Sequence, residues 1–493
     1  MRAEAVGNSQ ITIRRKRPRV VTGAITTGLL GALAFGGGLA ATAPASAASL
    51  LRVTSDRPLS AAPAALPASD WPAYLDGPLH ASFSPAQTAI TSANAATLVQ
   101  KWHFTTGSPY LASPTVAASS VFIGSARGWF YKLSETTGKV LDKVYIGRQP
   151  KLTCPATGVT STATVAASPA GHVITVYVAG GDGYLYALKA SDLKVEWRSA
   201  VGIPSAKINN FYNWASPTVA DGKVYMGVSS NCDTPLIRGG VIAYNQATGK
   251  KLAQFYAVPA GAKNAGASVW SSIGVAPDGD VYATTGNGPV AKPRLDHSES
   301  ILKLSPSALK LLGSFKVPAR QVTSDGDFGG SPVFFGGDVG ACNKNGIFYA
   351  LDRATMKLAW SARIATAAGG TGECLAAPAY NGTDLFVAGM KTKIGATSYR
   401  GSVQERVAST GALVWSTGMP GGVIGSPTLD GGGVLTAGAY SSPPAGIYLL
   451  NASTGAIVRK LAGGMTFGQS VFASKWLFCA NSKGVTAWAL PAG

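Results

Sequence analysis

Short runs of alternating or continuous apolar residues recur along the chain, separated by glycine-bearing polar turns. Each unit opens on a Ser-Pro-Thr-Val-like segment, passes through a strand such as Val-Tyr-Met-Gly and a Tyr-Ala-Leu-like strand, turns at a Thr-Gly-like step, and ends on a strand that often holds Trp. Strands favour this alternation because successive side chains point to opposite faces. A tight turn favours Gly because it adopts positive φ without a Cβ clash. The turn passages include KLSETTGKV (132–140), AYNQATGKKL (243–252), ALDRATMKLAW (350–360) and NASTGAIV (451–458). The residue after each turn falls at 139, 194, 250, 310, 357, 412 and 456, spacings of 55, 56, 60, 47, 55 and 44. That period suits a four-stranded propeller blade with its loops. An eighth unit is divided between the termini: SVFASKWLFCANSKGVTAWALPAG (470–493) supplies three strands, and LVQKWHFTTG (98–107) supplies the fourth. Pairing them closes the ring and hides two strand edges. The pattern therefore predicts an all-β, eight-bladed β-propeller over 70–493, with a seven-bladed ring as the alternative.

Composition narrows the picture. Charged residues are 13% of the chain and glycines number 61 of 493, which excludes a coiled coil, while 46% hydrophobic residues exclude wholesale disorder. Residues 1–19 carry six Lys/Arg, Val20–Leu51 is uncharged and contains Ala45-Ser46-Ala47 before Ala48, so 1–47 reads as a signal peptide and 48–69 as an Ala/Pro-rich linker. A retained membrane anchor is the rival reading. Export predicts a secreted protein of the cell envelope with no stable membrane insertion after cleavage. Without 1–47 the chain keeps 36 Lys/Arg against 22 Asp/Glu, about +14, and the charges are scattered. That fits a basic surface able to adhere to cell-wall polymer and argues against a nucleic-acid partner. Five cysteines (154, 232, 342, 374 and 479) leave at least one unpaired within the chain. No Cys-x-x-Cys-His occurs, so the chain attaches no c-type haem.

Four passages carry a resemblance: DWPAYLDGPLHASFSPAQTAITSANAATLVQKWHF (70–104), GASVWSSIGVAPDGDVYATTGNG (266–288), SDGDFGGSPVFF (324–335) and CNKNGIFYALDRAT (342–355). Together they resemble the quinoprotein alcohol dehydrogenases, propellers that bind pyrroloquinoline quinone (PQQ) and Ca²⁺, and in particular their polyvinyl-alcohol-dehydrogenase-like members. The resemblance implies a flat slot beside Trp270, where a quinone gains by stacking on a rigid ring. It implies Ca²⁺ held by Asn287, Asp325 and Asp233, oxygen donors suited to a hard cation. Asp325, or Asp327 beside it, would take the hydroxyl proton, and Lys344 would meet the quinone oxygens. Each residue also has a plainer reading: a core Trp, a turn Asn, two loop-capping carboxylates and an exposed hairpin Lys. Two family features depart. The calcium-binding glutamate of the family aligns with Thr234, leaving Asp233 next door to substitute, and no two cysteines are adjacent.

The resemblance thus implies an exported dehydrogenase of a small-molecule or polymeric alcohol, passing electrons to a separate acceptor. The alternative is a non-catalytic propeller that binds protein or cell-wall polymer. Serine-hydrolase elbows and P-loops are absent, and His80, His103, His172 and His297 are dispersed, which argues against a zinc hydrolase.

Overall fold

The computed structural model describes residues 66–492 except 150–156, 172, 203–211, 232–235, 262–264, 290–293, 367–373 and 441–444. The segments read as signal peptide and most of the linker, together with Asp233, Thr234, Cys154, Cys232 and His172, lie outside the described residues.

Eight antiparallel sheets form the blades of a β-propeller. Blade 1 is Thr115–Ala117, Ser120–Gly124, Trp129–Ser134 and Val140–Tyr145. Blade 5, which carries much of the site, is Val333–Phe335, Asp338–Cys342, Ile347–Asp352 and Leu358–Arg363. The eighth blade joins Val471–Ala473, Trp476–Asn481 and Gly484–Ala489 to the N-terminal strand Val99–Phe104, in antiparallel register from Val99 opposite Ala489 to Phe104 opposite Val485. The ring therefore closes by the split unit that the pattern predicted. All seven turn positions stand one residue before a fourth strand, from Lys139 before Val140 to Ala456 before Ile457.

The Trp and Gly of the repeat have a common purpose. Trp102, Trp197, Trp360 and Trp415, each on a fourth strand, donate their indole N–H to a carbonyl in the next blade: Glu135, Gln246, Ala408 and Ala452, at 2.8–3.1 Å. Each ring covers the turn glycine beside that carbonyl. At Gly411 (φ +72°) a Cβ would lie 2.3 Å from Trp360. Gly411→Ala is expected to destabilise by about 1–2 kcal/mol from backbone conformation alone, more if the indole cannot move, as a lowered melting temperature.

Ser-Pro-Thr has its own role at the inner strands. Ser113 N–H donates to Thr162 Oγ1, Thr162 N–H to Ser216 Oγ, Ser216 N–H to Ser272 Oγ and Ser272 N–H to Ser331 Oγ, at 2.9–3.1 Å. The series resumes from Ala377 N–H to Ser426 Oγ and from Gln469 N–H to Ser113 Oγ. These bonds stitch successive blades around the axis.

The Asp-Trp-Pro segment makes a lap near the ends of the inner strands. Trp71 exchanges two backbone bonds with Val116, and Pro72, Pro78, Ala81 and Ser82 accept from Val165, Val275, Tyr380 and Leu429. Leu75, Asp76, His80 and Ser82 all take positive φ to follow this path. Leu66, within the segment read as linker, packs against the core between blades 1 and 2.

Candidate functional site

Inner strands run from the connector after one blade towards the segment 71–84, so the opposite mouth of the channel is built from those connectors and from the hairpins between second and third strands. Lys344 sits in such a hairpin, between Cys342 and Ile347. Its backbone is held by Lys344 N–H to the Asp327 carbonyl (2.9 Å) and by Asn343 Nδ2 to the Gly326 carbonyl (2.6 Å). A disulfide from Cys342 to Cys374 ties the hairpin's base to the approach of blade 6, and Cys479 is buried and unpaired.

The mouth holds a cavity of about 480 Å³ lined by Tyr212, Trp214, Ser230, Asn231, Ser268, Trp270, Asp325, Asp327 and Lys344. Lys344 Nζ lies 2.8 Å from Asp325 Oδ1 and 2.6 Å from Asp327 Oδ2, and 5.5 Å from the centre of the Trp270 ring. Four residues singled out from the sequence thus converge at one end of the ring. Asn287 stands behind them, its backbone N–H donating to Asp327 Oδ1 at 2.6 Å while its side-chain amide bonds the Gly288 carbonyl. Its observed contribution is a main-chain one. A larger groove, about 650 Å³ beside Arg238 and Tyr256, holds none of these residues. Chemistry rather than volume picks the mouth.

The electrostatics are tightly coupled. Burial pushes Asp325 above the ordinary carboxylate range, the charge of Asp327 pushes it further, and Lys344 opposes both. Burial pulls Lys344 down, but the two carboxylates outweigh it and hold the ammonium charged. Two acids against one base leave a formal charge of −1. Among the described residues no three His, Cys, Asp or Glu side chains gather at one point.

Tyr212, Trp214 and Glu299 were not singled out from the sequence. Trp214 had a visible signal: it stands two residues before Ser216, as Trp270 stands two before Ser272, so both occupy one repeat position. Tyr212 and Trp214 lie 5.4 Å apart and continue the aromatic wall. Glu299 is fully buried directly behind the Asp325–Asp327 turn, and a Cβ on Gly326 would lie 2.5 Å from its Oε1.

An eight-bladed ring with an aromatic-lined, acid-and-lysine mouth defines a PQQ-like propeller. A family model for outer membrane protein assembly factor BamB matches residues 156–373 and 344–476, and the chain belongs to this family of PQQ-like repeat proteins. No curated protein matches the sequence. Among solved structures, quinohemoprotein alcohol dehydrogenase from Comamonas testosteroni is similar at TM-score 0.68 and 16% identity, over 86% of this chain and 81% of that one. A europium-containing methanol dehydrogenase gives TM-score 0.68 at 14% identity, over 86% and 98%. BamB from Moraxella catarrhalis gives 0.53 at 15%, over 80% and 98%. At these identities the likeness is one of fold, shared by dehydrogenases and an assembly factor alike.

Proposed function

We propose that the chain is an exported quinone-dependent dehydrogenase that oxidises an alcohol at this mouth. The observation that carries the reading is the Asp325–Lys344–Asp327 cluster set beside the half-buried ring of Trp270 in one cavity. A binding platform has no need to desolvate two carboxylates and an ammonium together, whereas proton abstraction does.

The residues fit PQQ with a cation beside it. Trp270, Trp214 and Tyr212 offer faces for a planar ring, and Ser230, Asn231 and Ser268 offer hydroxyl and amide groups for its carboxylates. A tricarboxylate would be repelled by a mouth of charge −1, so a hard cation on Asp325 and Asp327 belongs to the same fit. Asp233, the third carboxylate expected for that cation, lies outside the described residues. When bound, PQQ supplies a two-electron acceptor for hydride.

The chain's own residues do the rest. Asp325, more open than Asp327, takes the hydroxyl proton as general base. Lys344 holds it in place and stabilises negative charge arriving in the cavity. Asn287 N–H and the Gly326 turn fix Asp327. Electrons leave to a separate acceptor. The fold also accommodates a non-catalytic reading, since the same propeller is shared with the assembly factor BamB; the carboxylate–ammonium cluster beside Trp270 favours catalysis.

Reconstitution with PQQ and Ca²⁺, followed by dye-linked oxidation of primary, secondary and polymeric alcohols, tests the proposal. Quinone absorbance retained through dialysis, with activity lost in Asp325→Asn, is the expected result. No retained quinone and no oxidation of any alcohol overturns it.

A further inference from the structure

The chain contains three Asn-Gly steps, Asn287-Gly288, Asn345-Gly346 and Asn381-Gly382. Each invites the same chemistry, because a glycine has no side chain to keep its amide nitrogen away from the carboxamide carbon of the asparagine before it. The fold sets the three apart. Asn345 is buried, its Nδ2 donates to the Gln321 carbonyl (3.0 Å) and to Tyr349 Oη (2.8 Å), and the Gly346 N–H is committed to the Asn343 carbonyl (2.9 Å). Asn287 is held through its backbone on both sides: Ala267 N–H donates to its carbonyl and its own N–H donates to Asp327, while its Nδ2 bonds the Gly288 carbonyl.

Asn381-Gly382 is free where the others are tied. It lies in the turn between the first two strands of blade 6, Ala379–Tyr380 and Asp384–Ile394. Gly382 and Thr383 are exposed, and among the described residues neither the Gly382 N–H nor Asn381 Nδ2 has a hydrogen-bond partner. A Cβ at Gly382 would meet nothing within 4 Å, so water reaches the step. Asn381 Oδ1 is the exception, for it accepts two backbone N–H bonds, from Thr383 (2.9 Å) and Asp384 (2.7 Å). The ring closed by the first of these bonds contains both Asn381 Cγ and Gly382 N, which keeps the carboxamide folded over the nitrogen that would attack it. Both bonds end on the atom that becomes an oxyanion during that attack, the arrangement that stabilises a tetrahedral intermediate in acyl transfer. Tyr380 Oη on the Gly382 carbonyl (2.7 Å) and Ala408 N–H on the Thr383 carbonyl (3.1 Å) brace the turn in this form.

We propose that Asn381 is a self-modification site, at which this turn promotes conversion of the asparagine to a cyclic imide and then to aspartate and isoaspartate. Gly382 N attacks Asn381 Cγ. The N–Cγ bond forms, the Cγ–Nδ2 bond breaks, and the side-chain nitrogen leaves as ammonia with the proton that Gly382 gives up. Water then opens the imide at either carbonyl, so the sum is amide plus water to acid plus ammonia, with no change of oxidation state. The product places a new carboxylate in the turn that leads into Asp384. In isoaspartate the main chain runs through the former side chain, and the lengthened turn pulls on Tyr380, whose N–H holds the Ala81 carbonyl of the lap at 2.8 Å. The step is independent of the redox reading.

Incubation of the full chain at mildly alkaline pH, folded and unfolded in urea, with peptide mapping of the three steps over time, tests this. A folded structure slows the reaction wherever it restrains the chain. Asn287 and Asn345 should therefore convert at least about tenfold slower folded than unfolded, about 1.4 kcal/mol in the barrier. Asn381 should do the opposite and convert faster in the folded protein, with isoaspartate accompanying aspartate. Gly382→Ala, which shields the attacking nitrogen, should slow Asn381 in the folded and unfolded chain alike. Slower conversion of Asn381 in the folded protein than in urea shows that the turn protects the step, and overturns the proposal. Aspartate without isoaspartate shows direct hydrolysis of the side chain by water, and overturns the imide.

Discussion

Replacing Lys344 by Met should abolish dye-linked activity and leave a protein that is markedly less stable at pH 8 than at pH 5. Among the described residues, the ammonium is the one cation bonded to both Asp325 and Asp327 in the mouth cavity. Taking away one partner of a buried ion pair leaves an uncompensated charge, at about 3–5 kcal/mol. The lower end applies here, because Asp325 is about one-third exposed and water screens it. The sign with pH follows from the carboxylates. Burial and Asp327 already raise Asp325 above its unfolded value, and Lys344 is the group that restrains the rise. A carboxyl whose folded pKa is raised gives its full stability below the unfolded value and loses it as pH climbs through the folded one. Without Lys344 that window moves upward, and the loss at pH 8 deepens. Thermal melts at the two pH values, beside Lys344→Arg as the charge-keeping variant, measure it. A loss equal at both pH values would show that the methylene stem, not the charge, holds the hairpin.

Much of this architecture is legible in the chain because it is local and repeated. A Thr-Gly turn needs positive φ whatever surrounds it, and an indole donating to the next blade recurs wherever Trp stands on a fourth strand, so both leave a periodic trace. The split eighth unit is legible for the same reason: Trp102 docks on Glu135 as Trp360 docks on Ala408. The lap of residues 71–84 left no such trace. Its partners lie far along the chain, and its left-handed Leu75, Asp76, His80 and Ser82 follow no repeat and include no Gly. At the mouth, motif order alone marked Trp270, Asp325, Asp327 and Lys344, because each falls at the same end of an inner strand or hairpin. Asn287 was marked for its amide, yet it acts through its backbone N–H, which every residue type possesses. Trp214 was within reach of a repeat alignment, since Trp-x-Ser occurs at both 214 and 270. Glu299 was out of reach: nothing in Asp-His-Ser-Glu-Ser distinguishes an exposed turn acid from one sealed behind the site.

That sealed acid carries the second large effect. Glu299 is fully buried at positive φ; among the described residues neither carboxylate oxygen accepts a hydrogen bond, and Arg294 Nη1 stands 3.5 Å from Oε2. Burial raises its pKa to about 7; Arg294 and Lys316 pull against that rise, and Asp327 adds to it. The contribution of Glu299 to stability is therefore fully present below the ordinary carboxyl value near 4.5, falls as pH rises towards about 7, and becomes the full penalty above it. Glu299→Gln keeps the shape and removes the charge. It should leave stability unchanged near pH 4 and raise it at pH 8 by up to about 3 kcal/mol, at 1.36 kcal/mol per pKa unit. Arg294 does not reverse the sign, because its Nη1 stands 3.5 Å from Oε2 without a hydrogen bond to it, and Nη2 keeps its own bond to the Val317 carbonyl. Urea unfolding from pH 4 to 9 reads the difference directly. Should the Gln variant prove less stable at pH 8, the Arg294 pair outweighs desolvation, and Glu299 anchors the Asp325–Asp327 turn as an ion rather than as an acid held neutral behind it.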